Sequence, residues 1–172
     1  NAPMPIDPLT FSVVKNAYDA IVDEMAYTVL RTARSEIVKD VMDYSAALCD
    51  REGRMVAQAK TIALHLGAVP EAMAAVQARF GNNLAPGDAI IINDPYHGGM
   101  HLPDIFMFMP IFHEEMLSAW AVVICHHTDV GRRSKFYRLT AAGRRQLTAE
   151  LTKWARYSEA VALLIDADGA RS

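Results

Sequence analysis

A change of apolar period near residue 43 constrains this chain most. Before it, Phe11, Val14, Tyr18, Ile21, Val22, Met25 and Val29 recur at three- and four-residue steps, the stripe of one long amphipathic helix. Asp7-Pro8 opens that helix, with Asp as N-cap and Pro at the first helical position, where its missing N–H costs nothing. The helix is expected to end near Arg34, with Lys15, Asp19, Asp23 and Arg31 on its solvated face. Beyond Asp43 the pattern shortens to strand-sized runs. Residues 45–50 and 54–58 flank Arg51-Glu52-Gly53 as a hairpin with glycine in the turn. A short helix from Pro70 to Phe80 buries Ala72, Met73, Val76 and Phe80, and Pro86-Gly87-Asp88 is a turn. Residues 89–93 read as a strand covered on both faces. A second hairpin, 105–112 and 118–124, is joined by a loop at 113–117. The Phe106/Met107/Phe108/Met109 alternation reads as core packing. Helix first, then strands, then a C-terminal strand and amphipathic helix, gives an α+β fold.

Apolar residue types make up 52% of the chain and charged types 22%, enough to bury a core and too ordered a composition for a disordered segment. No apolar run approaches the roughly 18 residues of a membrane span, so no membrane partner is expected. Cys49 and Cys125 are far apart and lack CxxC spacing, which argues against a disulfide framework or thiolate zinc site and for a cytoplasmic chain with reduced thiols. The net charge of −3 conceals a break at Val130-Gly131-Arg132-Arg133. Residues 1–131 hold 8 Lys/Arg against 16 Asp/Glu, whereas 132–172 hold 9 against 4. All six His, nine Met and eight Pro lie in the first part, so the two parts are read as separate domains.

The segment richest in chemistry is NDPYHGGMHLPD, residues 93–104, where the buried strand runs out into a loop with two His, two Asp, two Pro and a Gly pair among its twelve residues. Glycines let backbone approach a ligand closely, and prolines stiffen the loop. Pro103 argues against a continuous helix across His101 and Asp104, while a turn can bring both side chains to one point. The second hairpin delivers Cys125-His126-His127-Thr128-Asp129 at its end, and alternation lets only one of His126 and His127 face a given site. Imidazole plus carboxylate suits zinc, manganese or ferrous iron and leaves positions for water or substrate. The same residues are also ordinary turn formers, and a His pair ending a strand is often hydrogen-bonded surface. Spacing alone leaves both readings open. His65, between Leu64 and Leu66, reads as a satisfied, half-buried histidine. Cys125 beside His126 has the look of a thiolate nucleophile, but its place at the end of an apolar strand favours an inert buried thiol.

DVMDYSAALCD from Asp40, LHLG from Leu64, the 93–104 string and HHTD from His126 closely resemble the hydantoinase B/oxoprolinase family, over essentially all of residues 1–131. In that family, which includes N-methylhydantoinase and 5-oxoprolinase and is related to ketone carboxylases, ATP use is coupled to cyclic-amide opening or carboxylation. The resemblance implies an A-type, ATP-dependent partner subunit, a small-molecule substrate, and a B-type part holding a divalent ion. Carried over by position, it makes Asp43, His101, Asp104 and His126 the metal ligands. It selects His126 over His127, and leaves His127 as the candidate catalytic residue, with support of a ligating imidazole as its other open role. B-type chains of the family are far longer, so this one is expected to be truncated.

The tail, 132–172, resembles the end of PadR-like winged-helix regulators, with a wing strand, a Thr140 N-cap and a dimerisation-type helix. Leu147, Leu151, Trp154, Ser158, Val161 and Ile165 form a seam adequate for pairing with another helix, as in a homodimer. Its basic cluster could meet phosphate, yet no recognition helix lies upstream of Arg132, so no nucleic-acid partner is expected. The whole reads as a chimera of two unrelated genes: a truncated hydrolase subunit, or alternatively a DNA-binding regulator fragment or an inactive remnant. In the last case residues 119–124, an interior strand, would want neighbours that the chain no longer supplies.

Overall fold

Asp7 begins the structure as its sequence position suggests: its carboxylate accepts the Thr10 N–H at 3.0 Å, satisfying one of the free donors of helix α1, Pro8–Thr32. The computed structural model describes residues 7–81 and 83–128 and the backbone of Phe136–Arg138. The α1 stripe is covered from Val22 onward, where Val22 and Ala26 are buried and Met25, Val29 and Leu30 pack beside them. Toward the start of the helix the expected face is open among the described residues, with Phe11, Val14 and Tyr18 exposed. Asp23, assigned to the solvated face, instead ties the chain after the first hairpin, accepting the Lys60 N–H at 3.2 Å and lying 3.4 Å from its Nζ. A single turn, α2 (Glu36–Lys39), adds Val38 to the same cluster.

Strands β1 (Tyr44–Asp50), β2 (Met55–Gln58), β3 (Ile90–Ile92), β4 (Asp104–His113), β5 (Met116–His126) and β6 (Phe136–Arg138) form one sheet in the order β2-β1-β5-β4-β3-β6. Every neighbouring pair is antiparallel. Strand β5 lies between β1 and β4, so the expectation that residues 119–124 would lack neighbours is corrected. The β4–β5 connection also differs. Instead of a five-residue loop at 113–117, Glu114 and Glu115 alone make the turn, with φ of 46° and 66°. Positive φ at both central residues matches the twist of paired strands, so the strands run on to His113 and from Met116.

The sheet divides two cores by strand alternation. Helix α3 (Val69–Phe80), one residue longer than expected at its start, covers one face, setting Val69, Ala72, Met73 and Val76 against Ala47, Cys49, Ile90, Ile92, Phe106, Phe108, Trp120, Val122 and Ile124. Each such large side chain contributes roughly 1.5–3 kcal/mol when fully buried. The alternation at 106–109 is core packing for its phenylalanines, while Met107 is exposed. The other face packs Tyr44, Ala46, Leu48, Val123 and Cys125 with α1 and α2. A 3-10 helix, Ala63–Ala68, not anticipated from the sequence, leads into α3.

The described residues belong to one compact unit, Asn1–Arg138. The expected PadR-like helix, its Thr140 cap and its heptad seam lie outside the described residues. Among the described residues no helix is long and apolar enough to cross a membrane.

Candidate metal centre

Asp104 is the first residue of β4 and His126 the last of β5, and the two are cross-strand partners. Paired residues share a face, so both lie on the α3 side, while Cys125 lies on the other. The register thus sets His126, and not Cys125, on the face of Asp104. His127 follows the strand's end, and its N–H donates to Pro103 O at 2.9 Å. On the β4 side, a turn closed by the Asp104 N–H on His101 O (3.0 Å) carries His101 back over Asp104. His126 Nδ1 is hydrogen-bonded to Asp104 Oδ1 at 3.0 Å, and His101 Nδ1 lies 2.7 Å from Oδ2. The two rings are 4.9 Å apart and tilted by 31°.

Asp104 is 0% exposed, and its Oδ2 has no hydrogen-bond partner among the described residues despite the nearby ring nitrogen. A carboxylate removed from water needs a compensating charge and full use of its lone pairs. A close but unaligned approach of imidazole and carboxylate is compatible with two ligand atoms sharing a cation. His101, Asp104 and His126 each offer a ligand atom, all within 4.8 Å of one another, so the trio can hold a metal ion. The donors fit a divalent ion of the zinc, manganese or ferrous type. His101, half exposed, leaves this side open to a small molecule.

Asp43 stands just outside that trio. Its backbone is anchored on both sides: its N–H donates to Ile37 O (3.1 Å), and its carbonyl accepts the His126 N–H (3.1 Å). Its carboxylate Oδ1 lies 3.3 Å from His65 Nε2. His65, expected half-buried, is 2% exposed, because the 3-10 helix presses it onto β1. Its Nδ1 meets Ser45 Oγ at 3.1 Å, and its Nε2 lies 3.9 Å from Asp104 Oδ1. Sequence reasoning missed His65 as a member of this cluster. Its apolar neighbours Leu64 and Leu66 signalled burial, and a buried imidazole needs polar partners, but nothing in the spacing named them.

The loop before the site is held by its own residues. Asp94 accepts the Tyr96 N–H at 3.0 Å and faces His97 Nδ1 at 2.9 Å, and Asn93 Nδ2 donates to Leu102 O at 3.1 Å. Burial would raise the Asp94 carboxyl, but the Tyr96 N–H and His97 outweigh it and hold it below its ordinary value. The glycine pair, expected to admit a ligand, serves packing instead: a Cβ on Gly98 would lie 2.2 Å from the Ala72 nitrogen in α3. Burial, and secondly the Asp43 charge, push the Cys125 thiol up to about 11, which removes it as a ready nucleophile.

Comparison with known proteins gives a consistent picture. The family model described as hydantoinase B/oxoprolinase matches residues 7–136. The beta subunit of caprolactamase from Pseudomonas jessenii is 39% identical over 126 residues, covering 73% of this chain and 22% of the subunit. A 5-oxoprolinase of Pestalotiopsis fici is 36% identical over 126 residues, covering 73% of this chain and 10% of that protein. The crystal structure of the ATP-dependent caprolactamase of Pseudomonas jessenii superposes with a TM-score of 0.74 at 32% identity, covering 86% of this chain and 29% of that one. The chain therefore spans between about a tenth and a quarter of the length of the curated relatives it matches.

Proposed function

The chain belongs to the hydantoinase B/oxoprolinase family, and from that premise we propose that it forms part of a B-type subunit of an ATP-dependent cyclic-amide hydrolase. Its substrate is a small cyclic amide, and ATP is consumed on an A-type partner subunit. The printed activities of its relatives, a caprolactamase beta subunit and a 5-oxoprolinase, support this class. The observation that carries the reading is the wholly buried Asp104 carboxylate between two imidazoles, with one oxygen lacking a hydrogen-bond partner.

Asp43, His101, Asp104 and His126 would hold the divalent ion. When bound, such an ion supplies Lewis acidity toward an amide carbonyl and toward water. Asp104 orients both imidazoles and balances charge where water is excluded. His101 stands at the accessible side, where a ring carbonyl can enter. His127 is anchored by its N–H on Pro103 O, just past the strand end. Because β5 ends at His126, alternation does not fix the direction of the His127 ring, which would take a proton from the attacking water or return one to the departing ring nitrogen.

The test is metal analysis of the purified chain together with ring opening assayed beside an A-type partner. Stoichiometric zinc, manganese or iron that is lost in His101→Ala, with loss of ring opening, is the expected result. Absence of any such metal, with ring opening unchanged in His101→Ala, overturns the proposal.

A further inference from the structure

We propose that His65, oriented by Ser45, is a positioning residue that fixes the Asp43 carboxylate at the metal centre. The inference rests on the reading above that Asp43 is a ligand, and it adds residues that the ligand set does not include.

The hydrogen-bond inventory fixes the ring. The Ser45 hydroxyl has one proton, and it is donated to Ile62 O. Toward His65 Nδ1 the Ser45 oxygen can then only accept, so one ring hydrogen points at Ser45, and Nε2 is the atom turned to the acids, where a second ring hydrogen would be donated to Asp43. Ser45 is 0% exposed and sits on β1 opposite Ile124 of β5, so the clamp is built into the central strands of the sheet. Nε2 then lies 3.3 Å from Asp43 Oδ1 and 3.9 Å from Asp104 Oδ1.

Asp43 needs such a hold. It follows Met42, whose φ of 58° is a costly conformation for a non-glycine residue. Its backbone is pinned by Ile37 O and the His126 N–H, but its side chain is partly exposed. Among the described residues, His65 is the side chain whose ring nitrogen faces that carboxylate. His65 does not join the mutual cluster of ligand atoms formed by His101, Asp104 and His126. Its place is behind Asp43, at the distance of a group that orients a ligand. Leucine would fill a similar volume between Leu64 and Leu66, so packing alone does not account for a buried imidazole with both nitrogens against oxygen.

The experiment titrates the full chain with cobalt(II), read by visible absorption, with thermal unfolding of the metal-free protein as the fold control. His65→Leu should weaken cobalt binding by about 10- to 100-fold, the usual effect of removing a group that orients a ligand. His65→Gln, which keeps a donor toward Asp43, should recover most of that loss. In an Asp43→Asn background, His65→Leu should cost less than about twofold more, because the residue acts through Asp43. A packing role or direct ligation would instead give a full, independent loss in that background, and either overturns the inference. So does cobalt affinity in His65→Leu within about twofold of the unaltered chain. If His65→Leu fails the fold control, Ser45→Ala replaces it in the same cycle, with the same pattern expected and the same results overturning it. An unaltered chain that takes up no cobalt overturns the metal reading itself, whereas binding that survives His65→Leu overturns only the role of His65.

Discussion

Gly98 and Gly87 have nearly the same backbone conformation, φ of +88° and +82°, and opposite surroundings. They separate the cost of a left-handed residue from the cost of close approach. An alanine in this region costs about 1–2 kcal/mol from contact of its own Cβ with backbone. Against that, losing glycine's freedom in the unfolded chain returns about 0.4–1 kcal/mol. At Gly87 nothing lies within 4 Å of the added carbon, so Gly87→Ala should destabilise by about 1 kcal/mol or less. At Gly98 the same carbon meets the Ala72 nitrogen at 2.2 Å and Ala72 Cα and Glu71 C at 2.6 Å. Those atoms are backbone of the first turn of α3, which is fixed by the buried Val69, Ala72 and Met73. No flexible side chain can swing away, so the loop itself must move. Overpacking of this kind adds about 1–3 kcal/mol, bringing Gly98→Ala to roughly 1–4 kcal/mol.

Urea unfolding of the two variants, with slopes equal to that of the parent, reads the difference directly. The displaced loop carries His101, so Gly98→Ala should also weaken cobalt binding, while Gly87→Ala leaves it unchanged. Stabilities of the two variants within about 0.5 kcal/mol of each other would refute the claim that the 98–99 loop is seated on α3 without slack.

Saturation with zinc or manganese at about 100 times its dissociation constant should stabilise the chain by about 2.7 kcal/mol. Chelation should reverse that gain, and Asp104→Asn should not show it, both measured by thermal shift. Cys49 and Cys125 are each pushed up to about 11, first by burial and then by the charges of Asp50 and Asp43 respectively. At pH 8 roughly one thiol in a thousand is then ionised, so a disulfide reagent should label the folded chain far more slowly than the chain in urea. Asp94 is held below its ordinary value of 3.8, so it stabilises the fold above that pH and less as pH falls through its folded value. The stability gap between the parent and Asp94→Asn should therefore be full at pH 6 and shrink below about pH 4, and a gap that persists unchanged to pH 3 would contradict the assignment.

The elements that could be read from the sequence are those whose signal is local. The Asp7-Pro8 cap, the two hairpins and α3 each announce themselves within a dozen residues, by a capping residue, a turn or an apolar period. His101 and Asp104 were legible for the same reason, since a turn around Pro103 joins them. The 3-10 helix 63–68 has no such period, so the sequence shows His65 only as a satisfied, half-buried histidine. Its partners Ser45 and Asp43 lie about twenty residues away, and the fold alone brings them together. Asp23 escaped for a similar reason, because its contact with Lys60 depends on how the first hairpin lies along α1.

The pairing that makes the centre depends on one irregularity far from it. The two-residue turn at Glu114 and Glu115 pairs His113 with Met116 and Phe112 with Leu117. Continued without interruption, that register would set Asp104 opposite Cys125 and leave His126 beyond the strand's end. The register shifts between Ile111 and Phe112, where Ser118 is the extra residue on β5, and from there Ile111 faces Ala119 and Asp104 faces His126. Because side chains alternate, this one-residue step decides which imidazole shares a face with the carboxylate. It also decides which residues enter the core: Phe106 and Phe108 pair with Ile124 and Val122, all four buried on the α3 side. The apolar contacts of the sheet and the polar contacts of the candidate metal centre thus select the same register. A mispaired hairpin would lose both, so the energy that orders the core also holds Asp104 against His126.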